Sequence, residues 1–242
     1  MSRDASGTPP RRHYTEYAAE ALGLGLFMLS ACGFAVLLYH PASPAATWPV
    51  SAFWRGALMG LAMGLTAVLN IYSPWGRRSG AHLNPAVTLA FWRLGKVRGA
   101  DVPGYIAAQL AGGLAGVAVA LLLLGRRVAD PTVNYVVTVP GPWGLGAAFA
   151  AELALSFTLL FLLLWIASSA RWARYTGVAA GLMVALFITF EAPVSGMSIN
   201  PARTIASAAW SPGVEPLWPY FVAPVTGMAI AAWCFTRLSA RR

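Results

Sequence analysis

The sequence predicts an all-α membrane protein in which six spanning helices surround two half-length helices that enter the bilayer without crossing it. The 242 residues are 58% hydrophobic and only 10% charged, with a mean hydropathy of +0.62, which is too apolar for a soluble domain of this length. Long apolar runs are separated by polar or proline- and glycine-rich breaks. Two ten-residue segments, SGAHLNPAVT and SGMSINPART, match in register 116 positions apart.

Six apolar runs predict six crossings, because a hydrocarbon core of about 30 Å takes about 20 helical residues. They cover residues 18–38, 52–72, 103–124, 145–168, 175–191 and 217–238, of which the fifth is the shortest. The first run follows two arginines, as in a signal peptide, but no small-residue cleavage pattern follows it, so a span is predicted. Residues 1–13 are polar and predict a flexible cytoplasmic tail before a single domain over residues 14–242.

Each copy of the repeated segment predicts the start of a short helix. Asn84 and Asn200 stand where an N-cap belongs, and Pro85 and Pro201 occupy the first helical position, where the missing N–H costs nothing. The two helices are predicted over residues 85 to about 95 and 201 to about 210. At about 1.5 Å per residue, each is roughly 15 Å long and reaches halfway through the bilayer.

The two halves of the chain, about 14–125 and 145–238, are predicted to lie inverted in the membrane. Each contains three spans, and because three is odd the second half must start from the opposite side. Ala-Glu opens the first span of each half, as Ala19-Glu20 and Ala151-Glu152. The two short helices then enter from opposite sides, and their N-termini can meet near the midplane.

The formal charge of +9 follows membrane topology and not nucleic-acid binding, because the basic residues form no continuous stripe. With the N-terminus inside, thirteen of the 17 lysines and arginines fall in inner segments. Only Arg55, Arg126, Arg127 and Arg203 fall outside. This bias predicts that both termini are cytoplasmic.

Over residues 15–238 the chain resembles an aquaporin of the major intrinsic protein family. The resemblance rests on the two NPA motifs, the SGAHLNPAVT loop, the arginine directly after the second NPA, and one glutamate in the first and in the fourth span. It implies a homotetrameric channel of the plasma membrane that has no cofactor. The channel is expected to conduct water, and conduction of small neutral solutes stays open. It also implies a pore centre built from Asn84, Pro85, Ala86, Asn200, Pro201 and Ala202.

Residues around the pore centre have expected roles. The non-helical stretches before each NPA leave carbonyls unpaired at membrane depth, which is tolerated where they line a water-filled cavity. Carbonyls expected to form this acceptor ladder belong to Gly80, Ala81, His82, Gly196, Met197 and Ser198. The His82 side chain could equally contact the pore or brace its loop. In the family, glutamates at the positions of Glu20 and Glu152 hold the NPA loops, and the resemblance implies that role here.

The selectivity filter departs from the water-specific pattern of the family. Arg203 matches the filter arginine, while Met197 on the loop and Ile188 on the fifth span replace other residues, a histidine in the latter case. The second-span position falls on Met63, or on Met59 if residues 74–77 are an insertion. Thr204 also replaces the aspartate typical of glycerol facilitators. The sequence therefore leaves water, glycerol and ammonia open as substrates.

Glu191 is not supplied by the family pattern. It lies three residues after Ile188, so the two share a helix face, and it is expected near the outer mouth. It could pair with Arg203 or a loop donor, or it could be a solvated residue at a helix end.

Two other functional classes are weaker. A secondary transporter also uses inverted repeats and broken helices, but it needs a coupling-ion site, for which only Glu20 and Glu152 are candidates. An enzyme needs a nucleophile, a base and an orienting group together, and the three histidines and two cysteines form no metal-ligand pattern. Cys32 and Cys234 lie in apolar runs and are expected to be reduced.

Overall fold

The computed structural model describes residues 13–213 and 216–240, which form α-helices, short 3₁₀ turns and loops, with no β-strand among them. Nine α-helices follow each other along this part of the chain: α1 Tyr14–Tyr39, α2 Ala52–Tyr72, α3 Pro74–Ser79, α4 Pro85–Arg93, α5 Val102–Leu124, α6 Gly144–Ala167, α7 Thr176–Ser195, α8 Pro201–Ala208 and α9 Pro219–Ser239. Six of them, α1, α2, α5, α6, α7 and α9, are long and apolar enough to span a membrane. The predicted fold class is therefore confirmed.

The predicted spans agree with the helices to within a few residues at most ends. The main difference is α7, which continues four residues beyond Glu191 and ends at Ser195. The helix continues past the charge because the Glu191 carboxylate is buried in the protein. Apart from His13, the predicted tail lies outside the described residues.

The segment considered as an insertion, residues 74–77, belongs to a separate short helix. Ser73 ends α2 and caps α3, since its Oγ accepts a hydrogen bond from the Gly76 N–H at 2.9 Å and donates to the Asn70 carbonyl at 2.7 Å. Pro74 follows at the first helical position. This turn brings α3, which ends at the start of the first repeated segment, against the end of α2.

The two halves pack through matching helix pairs. In the first half α1 packs against α5, in the second half α6 packs against α9, and α2 joins the halves by packing against α7. Gly64 and Gly181 face each other at the α2–α7 contact, where a Cβ on either one would collide with the backbone of the other. Glycine at both positions therefore allows the close approach that brings the halves together.

The half-helices α4 and α8 are capped by the asparagines of the repeat, as expected for Asn before Pro. Asn84 Oδ1 accepts a hydrogen bond from Ala86 N at 2.8 Å, and Asn200 Oδ1 accepts from Ala202 N at 3.1 Å and Arg203 N at 3.2 Å. The helices contain 9 and 8 residues. At about 1.5 Å per residue, each is about half as long as a spanning helix.

Arg55 holds the loop between α1 and α2. Its guanidinium donates four hydrogen bonds of 2.7–3.1 Å to backbone carbonyls, namely those of Leu38, Ala45, Ala46 and Trp48. Leu38 lies in the last turn of α1, where carbonyls lack a helical partner, and the other three residues lie in the connection that follows. The positive charge of Arg55 is therefore used to hold this loop against the end of α1.

Candidate functional site

The stretch before each NPA adopts the same unusual backbone. We call residues 80–83 the first pore loop and residues 196–199 the second pore loop. In the first, φ is +87° at Gly80, +49° at Ala81 and +50° at Leu83; in the second, φ is +81°, +49° and +47° at Gly196, Met197 and Ile199. Non-glycine residues with positive φ are strained and persist where surrounding contacts hold them.

The two pore loops meet through the two asparagines. Asn84 Nδ2 donates to the Ile199 carbonyl at 2.7 Å, and Asn200 Nδ2 donates to the Leu83 carbonyl at 2.7 Å. Each asparagine therefore caps its own half-helix and binds the loop of the other half. This crossing brings the N-termini of α4 and α8 together, where their dipoles place partial positive charge.

The first pore loop is held by Glu20 of α1. Its carboxylate accepts hydrogen bonds from His82 N at 2.9 Å and Leu83 N at 2.6 Å, and from Gln109 Nε2 of α5 at 2.7 Å. The same Gln109 nitrogen lies 3.0 Å from Thr88 Oγ1. Glu20 and Gln109 are both fully buried.

The second pore loop is held by Glu152 of α6. Its carboxylate accepts from Ser198 N at 2.6 Å, Ile199 N at 2.6 Å and Ser195 Oγ at 2.8 Å. The Tyr220 hydroxyl of α9 donates to the Ser195 carbonyl at 2.6 Å, as the Tyr105 hydroxyl of α5 donates to the Ser79 carbonyl at 2.9 Å in the first half.

A cavity of about 760 Å³ runs along the seam between the halves. At one end it is lined by Lys96, Ala167 and Thr176, and at the other by Tyr39 and Ala52. Because Tyr39 ends α1 and Ala52 begins α2, while Ala167 ends α6 and Thr176 begins α7, the lining extends over the length of the bundle. Its residues include all six whose carbonyls were expected to form an acceptor ladder: Gly80, Ala81, His82, Gly196, Met197 and Ser198.

Most other lining residues are apolar, including Phe27, Phe91, Leu160 and Val184. Within residues 13–213 and 216–240, no hydrogen bond ends on the carbonyl oxygens of residues 80–82 or 196–198. These oxygens therefore remain available to a hydrogen-bond donor in the cavity.

Ile188, Met197 and Arg203, which the sequence assigned to the filter, all line the cavity. Met63 and Met59 line it as well, so the second-span position is still open between them. In the described part of the chain the Arg203 guanidinium has no hydrogen-bond partner, and its Nη1 is buried. A buried donor without a protein partner is suited to a permeating oxygen atom.

His82 has both contacts that the sequence left open. It lines the cavity. The centroid of its ring lies 4.9 Å from that of Phe91 and 4.9 Å from that of Tyr105. His82 Nδ1 is hydrogen-bonded to Thr88 Oγ1 at 3.1 Å.

The structure contradicts two of the alternatives for Glu191, an ion pair with Arg203 and a solvated side chain, while a contact with a loop donor stays a prediction. Glu191 forms no ion pair with Arg203 among the described residues, since the ion pairs found there lie elsewhere. Its two carboxylate oxygens are buried without a hydrogen-bond partner, so it is not solvated. A spacing of three residues turns Glu191 about 60° away from Ile188 around the helix, and Glu191 does not line the cavity that Ile188 lines.

Gln109, Tyr105, Tyr220 and Ser195 were not assigned by sequence reasoning. Ser195 had a detectable signal, because Ser79 and Ser195 occupy the same position in the two repeated segments. Their hydroxyls also make the same contact, accepting from Ala81 N and Met197 N, both at 3.1 Å. The other three belong to helices outside the repeated segments.

Comparisons with known proteins agree with this architecture. A family model described as Major intrinsic protein matches residues 10–235. Aquaporin NIP1-2 from Oryza sativa subsp. japonica is 32% identical over 223 residues, which cover 91% of this chain and 70% of the relative. Aquaporin NIP6-1 from Arabidopsis thaliana is 39% identical over 174 residues, but the match spans only 55% of that protein. The X-ray structure of the aquaglyceroporin from Plasmodium falciparum has a similar fold, with a TM-score of 0.77 at 23% identity over 91% of this chain and 94% of that one.

Proposed function

Since the chain belongs to the major intrinsic protein family of aquaporins, which are membrane channels and not enzymes, we propose that it conducts water and small neutral solutes passively and excludes protons and other ions. The observation that carries this proposal is the crossed pair of asparagine hydrogen bonds at the meeting of two helix N-termini. Each N-terminus contributes about half a positive charge. Two of them at the cavity repel cations, a known property of aquaporin-type pores.

The lining supports passive permeation by neutral molecules. A solute leaving bulk water can donate to the unpaired loop carbonyls and accept from the Arg203 guanidinium, while the remaining lining is largely apolar. The alternative of a secondary transporter needs a free site for a coupling ion. Glu20 and Glu152 do not supply one, because loop N–H groups and neighbouring side chains occupy their oxygens.

The filter residues favour a second candidate within the same class, a facilitator of small polyols such as glycerol. Ile188 and Met197 contribute apolar groups to the cavity lining, and Arg203 is its one arginine among the described residues. A molecule with hydroxyls on one side and C–H groups on the other satisfies both surfaces. Water gains nothing from the apolar side, so this filter favours a glycerol-to-water permeability ratio above that of a water-specific pore.

We place both termini in the cytoplasm and the protein in the plasma membrane as a homotetramer. Support for the orientation comes from one end of the bundle, where the following described basic residues lie: Arg77, Arg78, Arg93, Lys96, Arg98, Arg171, Arg174 and Arg237. Such residues are retained on the cytoplasmic side. The homotetramer rests on the family resemblance, and the mass of the purified protein in detergent tests it.

Stopped-flow light scattering on proteoliposomes tests the function. We expect water and glycerol permeability above that of empty liposomes, linear in the osmotic gradient and independent of ion gradients. Ile188→Trp, which fills the cavity at the filter, should abolish the flux. The matched control is Leu186→Trp on the same helix, because Leu186 is exposed on the outer face of the bundle. Wild-type flux no higher than that of empty liposomes, or flux coupled to an ion gradient, would overturn the proposal.

A further inference from the structure

A short segment between α5 and α6 forms part of the cavity wall. We call residues 132–137 the strap. Its residues that line the cavity are Thr132, Val133, Val136 and Val137. Asp130, just before the strap, has its Oδ2 3.8 Å from Nε2 of His40, which directly follows α1. The strap therefore lies at the end of the cavity that Tyr39 and Ala52 line, and it belongs neither to the pore loops nor to the filter.

The strap has a strained backbone. Three consecutive residues, Asn134, Tyr135 and Val136, have φ values of +40°, +52° and +53°. Asparagine visits this left-handed region at little cost, but an aromatic or β-branched residue is an outlier there. Such residues persist only where surrounding contacts hold them. We therefore expect the strap to leave this conformation when a contact that holds it is removed.

One side-chain hydrogen bond joins the strap to another part of the bundle. Ser211, which lies beyond the end of α8, donates from its Oγ to Asn134 Oδ1 at 2.7 Å, and Ser211 is buried. The other hydrogen bonds of the strap in the described part of the chain are local, with acceptors on residues 130–134. The contact with Ser211 is therefore the one whose loss should release the turn.

The chain that follows the strap is fixed by separate contacts. Thr138 Oγ1 lies 3.4 Å from Thr204 Oγ1 of α8, and both threonines are buried. Gly141 N donates to the Val194 carbonyl of α7 at 2.8 Å. Loss of the hydrogen bond between the strap and Ser211 therefore leaves the chain beyond the strap in place.

The strap places apolar side chains on the way to the filter. Val133 belongs to a buried apolar cluster that includes Ala206 of α8, and Val136 packs against the same cluster. The turn Asn134–Val136 also contacts α8, the half-helix that carries Arg203. A solute that enters from this end meets the valines of the strap before it reaches Arg203.

We propose that the strap is a specificity-determining wall of the channel and that the hydrogen bond between Asn134 and Ser211 holds it there. Both are positioning residues, because they act through the valines. With the bond formed, Val136 and Val137 stay in the wall and exclude neutral solutes that are wider than glycerol. When the bond is lost, the left-handed turn relaxes, the valines leave the wall and wider neutral solutes enter. This proposal rests on the proposed channel function.

The test compares the permeability of proteoliposomes to glycerol and to trimethylolethane, a neutral triol that is branched and therefore wider. In Ser211→Ala the trimethylolethane-to-glycerol ratio should rise about fivefold, the factor that corresponds to about 1 kcal/mol for one hydrogen bond. The reason is that the wider solute passes only while the strap is released. Cation leak should stay at the wild-type level, because the positive charge of Arg203 and of the helix N-termini is unchanged.

Ser168→Ala is the matched control. Ser168 Oγ also donates a hydrogen bond of 2.7 Å, to the Trp165 carbonyl, at the opposite end of the bundle, and this variant should keep the wild-type ratio. Asn134→Ala removes the acceptor of the bond that Ser211→Ala removes. The double variant should therefore have the ratio of Ser211→Ala and not the product of two effects.

Hydrogen–deuterium exchange gives a readout that does not depend on transport. The Val136 and Val137 N–H groups, which donate to carbonyls within the strap, should exchange faster in Ser211→Ala than in the wild type. Asn134→Ala, at the partly exposed end of the bond, carries both measurements if Ser211→Ala fails to fold. Unchanged exchange, an unchanged solute ratio, or an equal rise of the ratio in Ser168→Ala would overturn the proposal. Absence of water and glycerol flux in the wild type would instead refute the channel function.

Discussion

The first and second pore loops share a backbone and differ in what supports it. Both have positive φ at three matching positions. In both, a serine hydroxyl accepts a hydrogen bond from a loop N–H, and a tyrosine hydroxyl donates to the carbonyl of that serine. In both, a glutamate accepts hydrogen bonds from two further loop N–H groups. In the first half a neutral amide, Gln109, completes the support of Glu20. The corresponding place in α9, 115 positions later, is Pro224, which has no donor.

A second difference lies on the approach to each loop. Trp75 of the short helix α3 occupies the position 116 residues before Glu191. Its Nε1 donates a hydrogen bond to Asn70 Oδ1 of α2 at 3.1 Å. The first loop is therefore supported by Glu20 together with the neutral side chains of Gln109, Tyr105 and Ser79. The duplicated backbone has therefore been kept while the side chains that support it have diverged.

The largest effect is expected from removing Glu20, which holds the first pore loop, or Glu152, which holds the second. Glu20→Leu and Glu152→Leu each leave two buried backbone N–H groups without an acceptor, at about 1–3 kcal/mol per group. We expect each variant to lose about 2–6 kcal/mol of stability and most of its water permeability, measured by thermal unfolding in detergent and by stopped flow. Normal stability and full flux in both variants would show that the loops do not depend on these acids.

The next effect concerns Arg203, whose counterpart in the first repeated segment is Val87. Arg203→Val makes the two segments alike at this position and removes the unpaired donor beside Ile188 and Met197. We expect a wider, uncharged filter with higher permeability to larger neutral solutes and a measurable leak of cations. Arg93→Val, at an exposed position, serves as the control. Unchanged solute selectivity in liposomes would contradict the filter role of Arg203.

A smaller effect should distinguish the supports of the two loops. Gln109→Leu removes the neutral donor from Glu20 and Thr88 and should cost about 1–3 kcal/mol, as expected when a buried hydrogen-bonding group loses its partner. Water permeability should fall less than in Glu20→Leu, because the His82 and Leu83 N–H groups keep their acceptor. A loss of permeability as large as that of Glu20→Leu would show that the loop depends on the amide as much as on the acid.

The smallest effect is expected at the end of the bundle where α5 begins, away from both loops. Burial alone would raise the pKa of Asp101, but hydrogen bonds from Arg98 and Tyr17 and the charge of Arg98 outweigh it and lower the pKa. A lowered folded-state pKa gives stability that is present at neutral pH and is lost as the pH falls. Asp101→Asn should therefore cost about 1 kcal/mol at neutral pH and nothing in acid, by thermal unfolding. An equal loss at both pH values would exclude the ionic contribution.

Local patterns predicted much of the fold and the centre of the site. The asparagine caps, the proline at each helix start and the apolar runs act within a few residues, so they can be read from the sequence. The supports of the loops could not be derived this way. Gln109 reaches Glu20 across 89 positions and Tyr220 reaches Ser195 from another helix. Their partners are set by how helices pack, and a single sequence contains no rule for that.

Glu191 shows a different limit. Its spacing from Ile188 correctly placed both on one helix, but the face was misjudged because three residues differ from a full turn by about 60°. The charge also suggested an end of the helix, whereas α7 continues to Ser195. Hydropathy counts a charged residue as a boundary and does not record that its carboxylate can be buried.

The crossed asparagine bonds have a consequence for how the chain assembles during synthesis. They join residues 115 and 117 positions apart, so the Asn84 amide has no native acceptor until nearly the whole chain has been made. Until then α4 is a capped helix whose side-chain donor is unpaired, in a half that already has its own α1–α5 core. Closing such a distant contact is slow compared with local helix formation. We therefore expect the pore to be completed late in folding, and we expect a protein truncated before the second repeat to contain spans without a passage between them.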